Sequence, residues 1–282
     1  FDIETDSLDD MKAKPVGFSI SVKTGEACYI PIKAPEDNIL DAETVFHALN
    51  SILTDNNVRV IGQNIKYDYK VLYRWGIDIS NIHFDTMIAA WLIDSTVNVY
   101  NMDSLAEFYL GYQTIHYKDV VEKGKSFSDV SLDAACRYAA EDADITYRLY
   151  ESLEPILQQE ALTEVFINVE MPLVRILSHM EMSGIKLLPE KLYEYNRELD
   201  ERLADIEKEV FRLVGHEFNI NSTKQLQEVL FEERKLKPTK KTKTGYSTDI
   251  HVLEELAKED RVPELVVTHR SLTKLKTTYV ET

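Results

Sequence analysis

From Leu192 onward the apolar side chains stand three or four residues apart, at Leu192, Tyr195, Leu199, Leu203, Ile206, Val210 and Leu213. That spacing makes one stripe on a helix but falls on both faces of a strand, so the stretch can only be a long helix with a coiled-coil seam. Pro189 suits its first turn and Gly215 its end. Leu265, Leu272, Leu275 and Tyr279 repeat the spacing, which predicts two long antiparallel helices with residues 216–262 as an excursion at their tip. Before residue 160 the pattern is different. Residues 17–22 and 27–32 flank Thr24-Gly25 and read as a hairpin, which with a strand at Asp2 makes three consecutive antiparallel strands. Ala42 to Leu53 has helical spacing, and residues 58–62 read as a short strand buried on both faces. Helices are expected at 67–75, 85–94, 103–110 and 132–158, with a strand near Ile82-His83-Phe84. The fold class is therefore α/β with a mixed sheet, followed by an all-helical part.

The 282 residues suffice for two domains with real cores, and a 44% hydrophobic fraction makes them globular. No apolar run reaches the length of about 18 residues that a membrane helix needs, and no secretion leader is visible. Cys28 and Cys136 form neither a disulfide framework nor a metal-ligand pair; they read as small core residues in a reducing compartment. Lys123-Gly124-Lys125 lacks the rest of a phosphate-binding loop. The net charge of −17 argues against a nucleic-acid partner, but it is uneven: −14 in residues 1–160 and −3 in 161–282. Arg234, Lys235, Lys237, Lys240, Lys241 and Lys243 fall within one short stretch, a candidate phosphate contact on an acidic protein. Nearby, Ser222-Thr223-Lys224-Gln225 fits a capping box with Ser222 as N-cap and Gln225 at N3, a helix start able to receive phosphate.

The chemistry is carried by carboxylates. In Phe1-Asp2-Ile3-Glu4-Thr5 a strand puts Asp2 and Glu4 on one face, with Phe1 and Ile3 buried on the other. Two anions that close need a cation between them. Asp68 follows the central strand in Gln63-Asn64-Ile65-Lys66-Tyr67-Asp68, and Tyr138 and Asp142 share a helix face at i, i+4. Taken singly, each has an ordinary structural explanation. Together they are four carboxylates with no histidine or cysteine, an oxygen ligand set suited to magnesium or manganese. A pair of such ions clamps in-line displacement at a phosphodiester.

These three motifs, in this order, resemble the proofreading 3′–5′ exonucleases of the DEDD superfamily, tyrosine subtype, on a ribonuclease-H-like fold. Over its whole length the chain is similar to the large fragment of the bacterial DNA polymerase I family (family A). The likeness rests on Asp2 to Leu8, Phe84-Asp85-Thr86-Met87, Met102-Asp103-Ser104-Leu105-Ala106-Glu107, Arg137 to Asp144 and Ser222-Thr223-Lys224-Gln225-Leu226. It implies an exonuclease domain over 1–160 and the thumb of a polymerase domain over 161–282, without palm or fingers. It implies two divalent ions, Mg2+ or Mn2+, one held by Asp2, Glu4 and Asp142 and one by Asp2 and Asp68. Tyr138 would orient the attacking water, its phenol being a poor base near neutral pH. The strand's 3′ end would meet Thr5, Leu8 as a wedge, Asn64, Tyr67, and Tyr117 as a stacking aromatic.

Primer–template duplex would meet Ser222, Thr223, Lys224, Gln225, Lys240, Lys241 and Lys243. The partners implied are DNA and a nucleoside monophosphate product, for a cytoplasmic, nucleoid-associated monomer with no membrane contact. Val99-Tyr100 stand where the family commonly has a basic residue, and the loop from Lys125 to Leu132 is short. The start at Phe1, beside Asp2, and the end before any palm carboxylate suggest a piece of a larger polymerising enzyme, unable by itself to extend a primer. Two other readings remain: an inactive scaffold, disfavoured by the complete acid set, and a ribonuclease D-like RNA-trimming enzyme, disfavoured by the thumb-like hairpin. Digesting DNA and RNA side by side separates these.

Overall fold

The computed structural model describes every residue except Asn38, Thr239, Lys243, Thr244 and Thr282; the side chains of Lys241 and Thr242 are likewise outside the description. The chain forms two compact units, Phe1–Gly184 and Ile185–Thr282.

In the first unit, β1 (Asp2–Thr5), β2 (Pro15–Lys23) and β3 (Glu26–Pro31) form an antiparallel sheet in that order. Glu4 faces Gly17 and Thr5 faces Pro15, so Val16 is an extra residue in the ladder. A Cβ at Gly17 would meet the Tyr29 ring at about 2.4 Å, which explains a glycine in mid-strand. Next come α1 (Ala42–Leu53), β4 (Val60–Gly62), α2 (Ile65–Arg74), β5 (Ile82–Asp85) and α3 (Thr86–Ile93). β4 and β5 pair in parallel across α2, and the Phe1 nitrogen donates to the Ile61 carbonyl at 2.9 Å, setting β1 beside β4. Then follow α4 (Met102–Leu105), α5 (Tyr117–Val120) and α6 (Leu132–Gln159). Phe1, Ile3 and Phe18 pack in one core with Ile65, Leu72, Phe84, Ile145 and Leu149.

The antiparallel triplet and α1 lie where the periodicity puts them. The strand expected from residue 58 is shorter, and Ile61 is only partly covered. Both cysteines are exposed, against the expectation of core positions. On α6 the helical phase sends Ala135, Ala139 and Ala143 inward and leaves Cys136 outside. The first unit also continues past residue 160. α7 (Thr163–Val165) runs through a wide turn, Phe166–Glu170, into α8 (Met171–Ser183). Phe166, Met171 and Val174 join the first core, so this helix packs with what precedes it.

The second unit holds α9 (Pro189–Val214), α10 (Thr223–Gln227), β6 (Lys241–Thr242), β7 (Gly245–Tyr246), α11 (Ile250–Leu256) and α12 (Arg261–Leu275). Gly215 ends α9 at φ +94, in the left-handed region that favours glycine. Lys276 pairs with Asp200 at 2.8 Å and His269 lies 3.2 Å from Glu207, so α12 runs antiparallel to α9. The excursion has a core of its own: Ile220, Leu226, Leu230, Leu253 and Leu256 pack with Val210 and Val266. Half of the expected capping box forms. Ser222 accepts from the Gln225 nitrogen at 3.4 Å, but Gln225 Oε1 accepts from Asn219, because the Ser222 nitrogen is already bonded to the Asn219 carbonyl. Among the described residues no helix is long and apolar enough to cross a membrane.

Candidate active site

Strand alternation on β1 delivers the first two acids: Phe1 and Ile3 enter the core, while Glu4, buried, and Asp2, partly buried, face the other way. α6 adds Tyr138 and Asp142 from successive turns of one face. One oxygen from each of Asp2, Glu4 and Asp142 lies within 4.8 Å of the others. Asp68, in the first turn of α2, is tied to β1 because its Oδ1 accepts from the Ile3 nitrogen at 3.1 Å.

Burial, then the neighbouring carboxylates, push Glu4 and Asp68 well above the usual carboxylate range. Burial also raises Asp2. Asp142 is pushed up to about 9, by burial first and then by Asp2, with the Tyr138 hydroxyl opposing the rise. Burial and the same carboxylates raise Tyr138, which stays a phenol and hydrogen-bonds Asp142. Glu4 Oε1 is buried with no hydrogen-bond partner among the described residues. Such a cluster needs either protons or a divalent cation, and an oxygen-only donor set with an unsatisfied buried oxygen fits the cation.

All the residues named from sequence for the 3′ end lie in the same place. A cavity of about 440 Å³ is lined by Asp2, Glu4, Thr5, Leu8, Asn64, Tyr67, Asp68, Tyr117, Tyr138 and Asp142. The Thr5 and Tyr67 hydroxyls are 2.6 Å apart and share their two protons with the Ser7 carbonyl, which lies 2.9 Å from the first and 2.6 Å from the second. Leu8 stands 93% exposed on the rim. Asn64 has φ 55, a conformation asparagine tolerates. Buried Asp85 holds it there: it accepts from the Asn64 and Ile65 nitrogens and caps α3 through Met87. The Tyr117 ring lies 6.2 Å from Tyr138, edge to face. Its loop is held by Asp103, which bonds Thr114 and His116, and by Glu141, which bonds Tyr112 and Ile115.

Gln63, Met102, Lys125 and Ser126 also line the cavity and escaped the sequence reading. Among the described residues Lys125 is the one basic side chain in that lining, ion-paired to Glu122 at 2.7 Å. In sequence its only signal was an incomplete phosphate-loop pattern. The residues expected to meet duplex DNA all belong to the second unit. Ser222, Thr223, Lys224 and Gln225 start α10 at the surface, and Lys240 pairs with Asp249 at 2.9 Å. The Lys241 side chain and Lys243 lie outside the described residues.

Fold and site together define an α/β protein with an acid-lined cleft suited to divalent cations. Residues 1–158 match the family model described as 3′-5′ exonuclease, and residues 189–282 match the one described as DNA polymerase family A. The chain belongs to this 3′-5′ exonuclease family, as the motifs implied, and its C-terminal third resembles family A DNA polymerases. It is 38% identical to DNA polymerase I of Treponema pallidum over 319 residues, covering 100% of this chain and 32% of that protein. Against DNA polymerase I of Borreliella burgdorferi the identity is 41% over 280 residues, covering 99% of this chain and 30% of the relative. The chain thus spans about a third of the length of these relatives. The POL domain of Pol1 from M. smegmatis, solved with DNA primer-template and dNTP, has the same fold: TM-score 0.78 at 24% identity, over 98% of this chain and 45% of that one.

Proposed function

We propose that the first unit is a proofreading exonuclease that removes 3′-terminal nucleotides from DNA, within a polymerase that performs template-directed synthesis in replication and repair. Residues 1–160 would be the exonuclease domain and 161–282 the start of the polymerase domain's thumb, with α7 and α8 docked on the exonuclease core. The observation that carries the reading is the meeting of Asp2, Glu4 and Asp142 within 4.8 Å, in one cavity with Asp68 and Tyr138. Bound by Asp2, Glu4 and Asp142 and by Asp2 and Asp68, two divalent ions would supply Lewis-acid charge for a water and for the leaving 3′-oxygen. With its own proton given to Asp142, the Tyr138 oxygen can accept from that water and aim its lone pair at phosphorus. The new bond joins water oxygen to phosphorus and the bond from phosphorus to the 3′-oxygen breaks. The shortened strand keeps a 3′-hydroxyl, and a nucleoside 5′-monophosphate leaves. Leu8 and Tyr117 offer the terminal bases an apolar wedge and a stacking face.

A 5′-labelled single strand incubated with Mg2+ tests the reading: it should shorten stepwise from its 3′ end, and DNA should be preferred to RNA. Tyr138→Phe loses one orienting hydrogen bond and no charge, so its rate should fall only about tenfold. A Phe variant as inactive as an Asp2 variant would reveal an acid–base role for the phenol.

The second unit would grip duplex backbone through Lys240, Lys241 and Lys243 and the α10 start. Counterions released by each bound phosphate set the salt dependence, so removing one phosphate-binding lysine should lower the slope of log affinity against log salt by about 0.9. In the full-length polymerase, the triple Ala variant should lower that slope on primer–template by about 2.7, three times the single-lysine effect, with trimming of short single strands nearly unchanged. An unchanged slope would make these lysines solvated bystanders, as the Lys240–Asp249 pair would then suggest.

A further inference from the structure

Behind the wall of the cavity lies a buried ammonium. Lys70 sits two positions after Asp68 on α2, on the other side of the helix, and is 4% exposed. Its Nζ meets Asp10, in the loop between β1 and β2, and Glu181 of α8, the latter at 2.5 Å. Arg74, one turn on, donates to the Asp10 and Ala13 carbonyls at 2.7 and 3.1 Å. The front of that loop is the cavity wall: Thr5, Asp6, Ser7 and Leu8. There it is held by the Tyr67 hydroxyl on the Ser7 carbonyl and by Asp6, which accepts from the Lys14 nitrogen. Exposed Leu8 hangs between the two anchorages.

We infer that Lys70 is a positioning residue, which pins the loop's Asp10 to α2 and α8 and so presets the wall against which a strand's 3′ end would lie. The consequence for DNA rests on the exonuclease reading; the clamp itself does not. Lys70 is the buried member of this cluster, while Asp10 and Glu181 are 26% and 42% exposed and Glu181 also pairs with Lys66. Removing the Lys70–Asp10 pair therefore takes away the ionic part of the loop's rear anchorage and leaves the Arg74 hydrogen bonds. A loosened wall must then be ordered each time substrate binds. That cost falls on binding and not on chemistry, because the carboxylates stand on β1, α2 and α6.

The test uses the whole chain with Lys70→Met, which keeps the stem and removes the charge, Asp10→Asn, and Lys70→Arg as the conservative rescue. Amide hydrogen exchange needs no nucleotide and reads the clamp directly. The Met and Asn variants should exchange about tenfold faster over residues 6–14 with α6 unchanged, and the Arg variant should match wild type. On a single-stranded oligonucleotide with Mg2+, KM should rise about five- to tenfold while kcat stays within about twofold. Unaltered exchange over residues 6–14 in both charge-removing variants overturns the inference, as does a fall in kcat with KM unchanged. If wild type does not shorten DNA at all, the exonuclease reading has failed, and the exchange result alone decides whether Lys70 is a clamp.

Discussion

Asp2→Ala and Asp142→Ala should each end 3′-trimming of single-stranded DNA in magnesium while circular dichroism stays that of the parent. In the proposed reading Asp2 belongs to both ion sites, and Asp142 would hold an ion while accepting from the Tyr138 phenol. Losing such a ligand removes several kcal/mol of charge stabilisation, which corresponds to about a thousandfold in rate. A near wild-type rate for Asp142→Ala on a labelled oligonucleotide would refute the ligand assignment. The wild-type arm has its own meaning: an intact chain that never shortens DNA, with Mg2+ or Mn2+, would support the inactive-scaffold reading instead.

Without divalent ions, the same cluster should make the first unit less stable as pH rises from about 4, where unfolded carboxyls titrate, towards the Asp142 value of about 9. The sign follows from proton binding. Asp2, Glu4, Asp68 and Asp142 all have folded values raised above their ordinary ones, so in this window the native state holds protons that the unfolded chain has released. Stability is therefore fullest at the acid end of the window and declines as pH climbs through the folded values. Mg2+ should remove most of that slope by taking the place of the protons. Asp142→Asn in EDTA at pH 8 should melt higher than wild type, at about 2–4 °C for each kcal/mol of repulsion relieved. Both tryptophans, Trp75 and Trp91, lie in the first unit, so their fluorescence follows its melting alone. A flat profile, indifferent to Mg2+, would mean that the acids do not repel one another as the geometry requires.

Whatever depends on neighbours in the chain was legible from the residues. The two faces of β1, the hairpin at Thr24-Gly25, the bounds of α1 and the long α9 all follow from local spacing, and the structure reproduces them. The acids were legible as motifs, and the family resemblance joined them into one set. Where the reading failed, a property depended on the far side of the fold. Cys136 is outside because the phase of α6 is set by what packs on Ala135 and Ala139.

Periods, turns, caps and the chemical type of the site can be read from the residues alone, since these are properties of adjacent residues and of side-chain identity. Packing between distant elements brings Asp2, Glu4 and Asp142 within 4.8 Å, leaves Glu4 Oε1 without a partner among the described residues, and sets Lys125 in their cavity. It also set Lys70 between Asp10 and Glu181. Charge repulsion, desolvation and ion pairing act through space, and no local spacing records which distant side chains the packing will bring together.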